Sequence, residues 1–166
     1  MRTTRHVPIS DWAVVYDEGL LDHLKAAREA ALPAETGGAL VGIVDIARKS
    51  IVVVDALAPP SDSVGSPTQF ERGVDGLLGR LADIQSITRD QVRYIGEWHS
   101  HPRRHSAMPS QMDVVQLIGL HEELGREGIP PVMMIVGERD IALVSATIPA
   151  DAAPKASDTC LQEHVR

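Results

Sequence analysis

The chain has 166 residues, of which 43% are hydrophobic and 23% charged, and a formal net charge of -7. That length suits one domain with one core, and the composition excludes a disordered chain or one built for the membrane interior. An acidic balance with only two small basic clusters, RTTR at 2–5 and RRH at 103–105, excludes a general phosphate-binding surface and with it nonspecific nucleic-acid binding.

The opening stretch MRTTRHVPISDWAVVY lacks the continuous apolar segment of a signal peptide, and no later run approaches the ~18 residues of a membrane span, so a cytoplasmic chain is expected. Residues 12–16, WAVVY, read as a short strand. In residues 17–32, Leu20, Leu21, Leu24, Ala27 and Leu32 fall at roughly helical spacing, and Pro33 closes that helix. Two aliphatic, β-branched runs, 38–45 and 50–58, flank a short polar stretch and predict a hairpin of adjacent strands. The stretch PPSDSVGSPTQ (59–69) carries loop signals throughout. From Phe70 to Arg89 a helical period returns, weakened by Gly73, Gly76 and Gly79, and residues 92–100 go back to a strand pattern. Residues 110–127 predict an amphipathic helix with Val114, Leu117, Ile118, Leu120 and Leu124 available for one face. Two further strands are predicted around the turn GERD within 130–148, and 150–166 reads as a polar tail beyond a domain at 1–150. Cys160, the only cysteine, can form no internal disulfide, which agrees with a reducing compartment and rules out a cysteine-rich zinc site. The expected architecture is α/β of the α+β type: a single domain with a curved, partly antiparallel sheet and helices against it.

Chemistry concentrates in EWHSHPRRHSAMPSQMD, residues 97–113. If Tyr94–His101 is a strand, alternate side chains share a face, so His99 and His101 project together from its end. Two neutral imidazoles so placed suit one metal ion. A catalytic zinc takes three protein ligands and keeps a fourth position for water, and Asp113, in the first turn of the next helix, is the natural third. Blander readings stand beside this one. Ser110 and Asp113 also spell a helix capping box, and His-x-His at a strand end arises by chance. His105 is a loop histidine or an alternative ligand, His121 a surface or interface residue, and His6, His23 and His164 have no partners at ligand spacing. The signal lies in the conjunction.

With Glu35 in ETGGALVG, HSHP at 99–102 and PSQMD at 109–113, in that order, the chain resembles the JAMM (MPN-plus) metallopeptidases, in their bacterial JAB-domain branch, over about residues 10–148. One departure is the loop between His101 and Ser110, a residue longer than the family's usual spacing; a bulge in that loop is the expected accommodation. The resemblance implies an MPN/JAB-like fold and one Zn²⁺ per chain, held by His99, His101 and Asp113, with an activated water as nucleophile. It implies Glu35 as general base and acid, and Ser110 as hydrogen-bond donor to the oxyanion. Gly37 and Gly38 are expected to let the backbone turn tightly beside the metal and to border bound substrate. Glu97, two residues before His99, is read as structural rather than as a partner of the ligands. The implied substrate is a peptide or isopeptide bond after the terminal glycine of a ubiquitin-like protein, with loops 59–69 and 102–109 as walls. Implied partners are that protein, its conjugate, and ubiquitin-activating or conjugating-like proteins such as those of antiphage systems; no nucleic acid or membrane is among them. Hydrolysis of another small amide, a sulfur-carrier adduct, or a non-catalytic scaffold role are the alternatives.

Overall fold

The computed structural model describes residues 3–146. Strand β1 (Thr4–Ile9) folds back on β2 (Trp12–Asp17), and α1 (Glu18–Ala31) follows at once, its first turn capped by the Asp17 carboxylate, which accepts from the Gly19 N–H. β1 goes unannounced in the sequence because only Val7 and Ile9 of it are buried. Helix α1 ends before Pro33, as expected. β3 (Gly37–Asp45) and β4 (Ser50–Ala56) form the predicted antiparallel hairpin.

Between 59 and 89 the structure departs from expectation. The loop contains a small two-stranded sheet of β5 (Val64–Ser66) and β6 (Gln69–Glu71), and the helix expected from Phe70 begins only at Leu77 as α2 (Leu77–Ile87). The delay has a local cause. The Asp62 carboxylate accepts from the N–H groups of Val74 and Asp75, holding that segment in a turn, and Gly76 takes φ 67 at the N-cap. Strand β7 (Arg93–Ser100), α3 (Gln111–Leu124) with a closing 3-10 turn at Gly125–Glu127, β8 (Val132–Val136) and β9 (Ile141–Val144) complete the order, close to expectation. The expected polar tail at 150–166, with Cys160 and His164, lies outside the described residues.

Seven strands make one mixed sheet in the order β1-β2-β4-β3-β7-β8-β9, parallel at β2/β4 and β7/β8 and antiparallel elsewhere. Helix α1 lays Leu20, Leu21 and Leu24 into the main core on one face, with Trp98, Met134 and Leu40. On the other face α3 packs Leu117 and Leu120 against Met133 and Ile135, and α2 sets Leu81 and Ile84 against Ala39 and Val41. With both faces covered, the central strands read as continuous apolar runs.

A bulge in β7 aims the site. Leu40 pairs with Gly96 and Val41 with Tyr94, which leaves Ile95 as the extra residue. Ile95 and Trp98, an odd and an even position, therefore enter the same core, while Glu97 and His99 turn to the other face. Gly96 permits this with φ 148, and a Cβ there would sit 1.8 Å from the Val132 carbonyl oxygen. Gly96→Ala is expected to destabilise the fold by at least about 2 kcal/mol, lowering Tm by at least roughly 4 °C. Calorimetry of the metal-free protein checks this; a Tm within a degree of wild type would refute it.

Candidate metal centre and cleft

His99 and His101 leave the carboxyl end of β7 together, their ring centroids 5.3 Å apart. Asp113, in the first turn of α3, faces both: its Oδ1 lies 3.0 Å from His99 Nε2 and its Oδ2 3.4 Å from His101 Nε2. One donor atom from each of the three lies within 4.8 Å of the others, and among the described residues this is the one such group that could hold a metal ion. The chemistry of the donors fits a cation. His101 Nδ1 sits 2.6 Å from the Ser106 carbonyl, which can only accept, so Nδ1 carries a hydrogen and Nε2 is the nitrogen whose lone pair the neutral ring offers to the cluster. His99 Nε2 is buried with no hydrogen-bond partner, despite its nearness to Asp113. A buried nitrogen left without a hydrogen bond beside a carboxylate and a second imidazole is what a two-nitrogen, one-oxygen zinc site requires.

Electrostatics follow from the same geometry. Burial alone would raise the Asp113 carboxyl, but the imidazoles of His101 and His99 outweigh it and hold it far below the usual carboxylate range. Burial disfavours charge on His101, yet Asp113 and the Ser106 carbonyl push its imidazole above the ordinary value. Glu35 lines the same cleft of about 280 Å³ as His99, His101, Ser110 and Asp113. Burial raises its carboxyl, opposed in part by His101 and His99.

Local chemistry explains each placement. Ser110 caps α3: its Oγ accepts from the Asp113 N–H at 3.2 Å, and Asp113 Oδ2 accepts from the Ser110 N–H at 2.6 Å. The capping reading and the site reading are thus compatible, because the cap uses a lone pair of the hydroxyl and one carboxylate oxygen, leaving the serine O–H free to donate. The longer loop before Ser110 turns at Pro102–His105, where the Pro102 carbonyl accepts from the His105 N–H, with Arg104 at φ 64. Glu35 sits in the connection from α1 to β3. Its N–H donates to the Ser66 carbonyl at 2.8 Å, and Gly65 permits that approach, since a Cβ there would lie 2.2 Å from the Glu35 carbonyl oxygen. Ser100, between the two histidines, completes the tie: its N–H donates to the Thr36 carbonyl and its Oγ accepts from the Thr36 N–H.

Two expectations need correction or refinement. Gly37 and Gly38 stand in β3 rather than in a turn, paired with His99 and Trp98; both are buried and neither lines the cleft. Their lack of a side chain serves close packing, as a Cβ would meet the Trp98 carbonyl oxygen at 2.4 Å from Gly37 and that of Leu57 at 2.1 Å from Gly38. Glu97 is a buried crosslink: it accepts from Arg72, Tyr94 and Gln116 and so ties the hairpin exit, β7 and α3 together. Both expected loops contribute to the cleft, the first through Thr68 and Gln69 and the second through Pro102 and His105. Phe70, Met112 and Gln116 also line it; Gln116 could have been found as the i+3 helix neighbour of Asp113, whereas Phe70 and Met112 carried no local signal. His121 is engaged with the Ala146 carbonyl, away from the cluster.

A curled mixed sheet flanked by three helices, carrying its polar cluster where β7 meets α3, is a fold of the JAB/MPN type. The chain belongs to the prokaryotic homologs of the JAB domain, whose family description matches residues 17–148. A CD-NTase/cGAS isopeptidase of Enterobacter hormaechei subsp. hoffmannii (strain UCI 50) is 34% identical over 103 residues, which is 62% of this chain and 55% of that protein. A second protein of that name, from Escherichia coli (strain TW11681), is 29% identical over 108 residues, 64% of each chain. The chain therefore spans between about half and two thirds of the length of these relatives. The solution structure of a Desulfitobacterium hafniense protein superposes with a TM-score of 0.52 at 20% identity, covering 85% of this chain and 88% of that one, a likeness of fold.

Proposed function

We propose that the chain is a zinc-dependent isopeptidase or peptidase that cleaves after the terminal glycine of a ubiquitin-like protein, releasing it from a conjugate or a precursor. The observation that carries this reading is the Glu35 carboxylate in one cleft with the His99, His101 and Asp113 cluster, on a fold shared with relatives named isopeptidases. His99 and His101 through their nitrogens and Asp113 through a carboxylate oxygen would hold the ion. Zinc at such a site supplies Lewis acidity, polarising a carbonyl and acidifying water toward a pKa of about 7. Glu35 takes the proton of the attacking water and passes it to the departing amine, as the acyl–nitrogen bond breaks. The Ser110 hydroxyl donates to the carbonyl oxygen as it gains negative charge, a contribution of about 10²–10³ in rate for a single donor in comparable sites.

Substrate choice follows from space. A cleft of about 280 Å³, walled by Phe70 and Met112, admits an extended chain with little side-chain bulk at the scissile bond. A glycine tail meets that requirement, and the small sheet beside the cleft offers Gln69–Glu71 as an edge along which an extended tail can lie. The partners on this reading are the ubiquitin-like protein and whatever lysine or extension carries it.

The test uses ubiquitin-like proteins fused through their terminal glycine to a reporter, incubated with the zinc-loaded protein. Cleavage directly after the glycine is expected. Replacing that glycine with leucine should slow it at least about 10²-fold, because the carbonyl no longer reaches near-attack distance. If every such fusion stays intact while small unrelated amides are hydrolysed, the deconjugase reading fails and a hydrolase of other amides replaces it.

A further inference from the structure

We propose that Arg28, a residue of α1 outside the cleft, is a positioning residue for the ligand His101, acting through the backbone of the loop that leaves β7. The inference rests on the metal-centre reading above and extends it to a group with no ligating atom.

The inward face of α1 runs Leu20, Leu21, Leu24 and then Arg28, so a permanent charge takes the place where the apolar row would continue. Its side chain is 2% exposed. A guanidinium is buried at a penalty unless its donors are met, and here the site loop meets two of its nitrogens and Glu29 the third. Nε donates to the His101 carbonyl at 2.8 Å and Nη2 to the Pro102 carbonyl at 3.1 Å, while Nη1 reaches the Glu29 carboxylate, itself 60% exposed. The rigid fork thus fixes two successive carbonyl oxygens, which neither a lysine nor an apolar side chain reproduces. The effect reaches the ring through one loop. His101 is tied at its carbonyl by Arg28 and at Nδ1 by the Ser106 carbonyl five residues on, and the two ties together set where Nε2 points. The His101 N–H is held separately by the Val136 carbonyl at 2.8 Å, so release from Arg28 frees the carbonyl side alone: the 101–102 peptide plane, from which the loop to Ser106 sets out, can then tilt and shift the ring. Arg28 also stands seven residues before Glu35 on the same continuous segment, so one side chain relates the backbone that carries Glu35 to the backbone that carries His101.

Metal binding, rather than catalysis, is the direct readout. Metal-free wild type and the variants Arg28→Met, Arg28→Lys and Glu29→Gln are titrated with Co²⁺, following the visible ligand-field absorption, and their thermal unfolding is recorded without metal. Arg28→Met is expected to bind Co²⁺ about 10- to 100-fold more weakly than wild type, with an altered spectrum, and Arg28→Lys to fall between them. Glu29→Gln should stay within about twofold of wild type, since an exposed carboxylate contributes little. A folded Arg28→Met with wild-type affinity and spectrum would overturn the proposal even if its Tm is lower, because the residue would then serve packing alone. Equal weakening by Glu29→Gln would also overturn it, as the effect would come from the ion pair. If Arg28→Met does not fold, the lysine variant decides: lowered affinity upholds the proposal, and wild-type affinity and spectrum refute it. Absence of Co²⁺ binding by wild type would sink the metal-centre reading itself, a result distinct from a failure confined to Arg28.

Discussion

Cleavage by the Glu35→Ala variant is expected to fall by about 10²–10⁴-fold while its zinc content stays at the wild-type level. The carboxylate shares the cleft with the cluster, and its backbone is pinned on both sides, by Ser66 through its own N–H and by Ser100 through the neighbouring Thr36. It is not one of the donors that converge. On the proposed reading Glu35 lies near the ion without ligating it, and so is free to move a proton between water and amine. In the metal-free protein burial raises the Glu35 carboxyl, against the pull of His101 and His99. Glu35→Gln keeps the shape and removes the charge, so it should match the alanine variant. Two measurements check the assignment: metal analysis of each purified variant, and the rate of fusion cleavage. Loss of zinc with loss of activity would make Glu35 a ligand, and retained activity would remove it from proton transfer.

Zinc content is expected to drop from close to one per chain to near zero in His99→Ala and in Asp113→Ala. Each variant leaves two donors where three converge, and the geometry of a closed three-ligand face is lost. Asp113→Ala has a second effect, because the same carboxylate accepts from the Ser110 N–H in the capping box, and removal of a cap costs about 1 kcal/mol of stability. Asp113→Asn separates the two roles, since an amide oxygen still accepts the cap hydrogen bond but no longer offers an anionic ligand. Metal loss in Asp113→Asn with near-native Tm is the expected pattern. The pH dependence has a definite sign. Asp113 and the Ser106 carbonyl favour the protonated form of His101 in the metal-free protein, so a proton must leave before its nitrogen can bind an ion. Affinity therefore rises with pH and weakens as pH falls through the titration of His101. Zinc content unchanged in the His99 or Asp113 variants would refute the centre as described.

How much of this could be read from residue order differs from element to element. Trp12–Tyr16, the hairpin of β3 and β4, β7, α3 and the pair β8 and β9 all follow from period and turn residues within each stretch. The same holds for the placing of His99, His101, Ser110 and Asp113, since a strand end and a capped helix start are local features and the order of the residues carries them. Helix α2 is the instructive failure. Its period begins at Phe70, but Asp62 captures the backbone of Val74 and Asp75, and Phe70 goes instead to a strand beside the cleft. The bulge at Ile95 that turns Glu97 and His99 to their face, the seat of Glu35 against Gly65 and Ser66, and the grip of Arg28 on the His101 carbonyl carry no trace in any local window. Arg28 and His101 are 73 residues apart, and in order alone the arginine reads as one more polar residue of an amphipathic helix. Periodicity and capping arise from neighbours a few bonds away, whereas these contacts exist only once distant segments have closed on one another, and the satisfaction of buried polar groups then selects among partners that residue order does not rank.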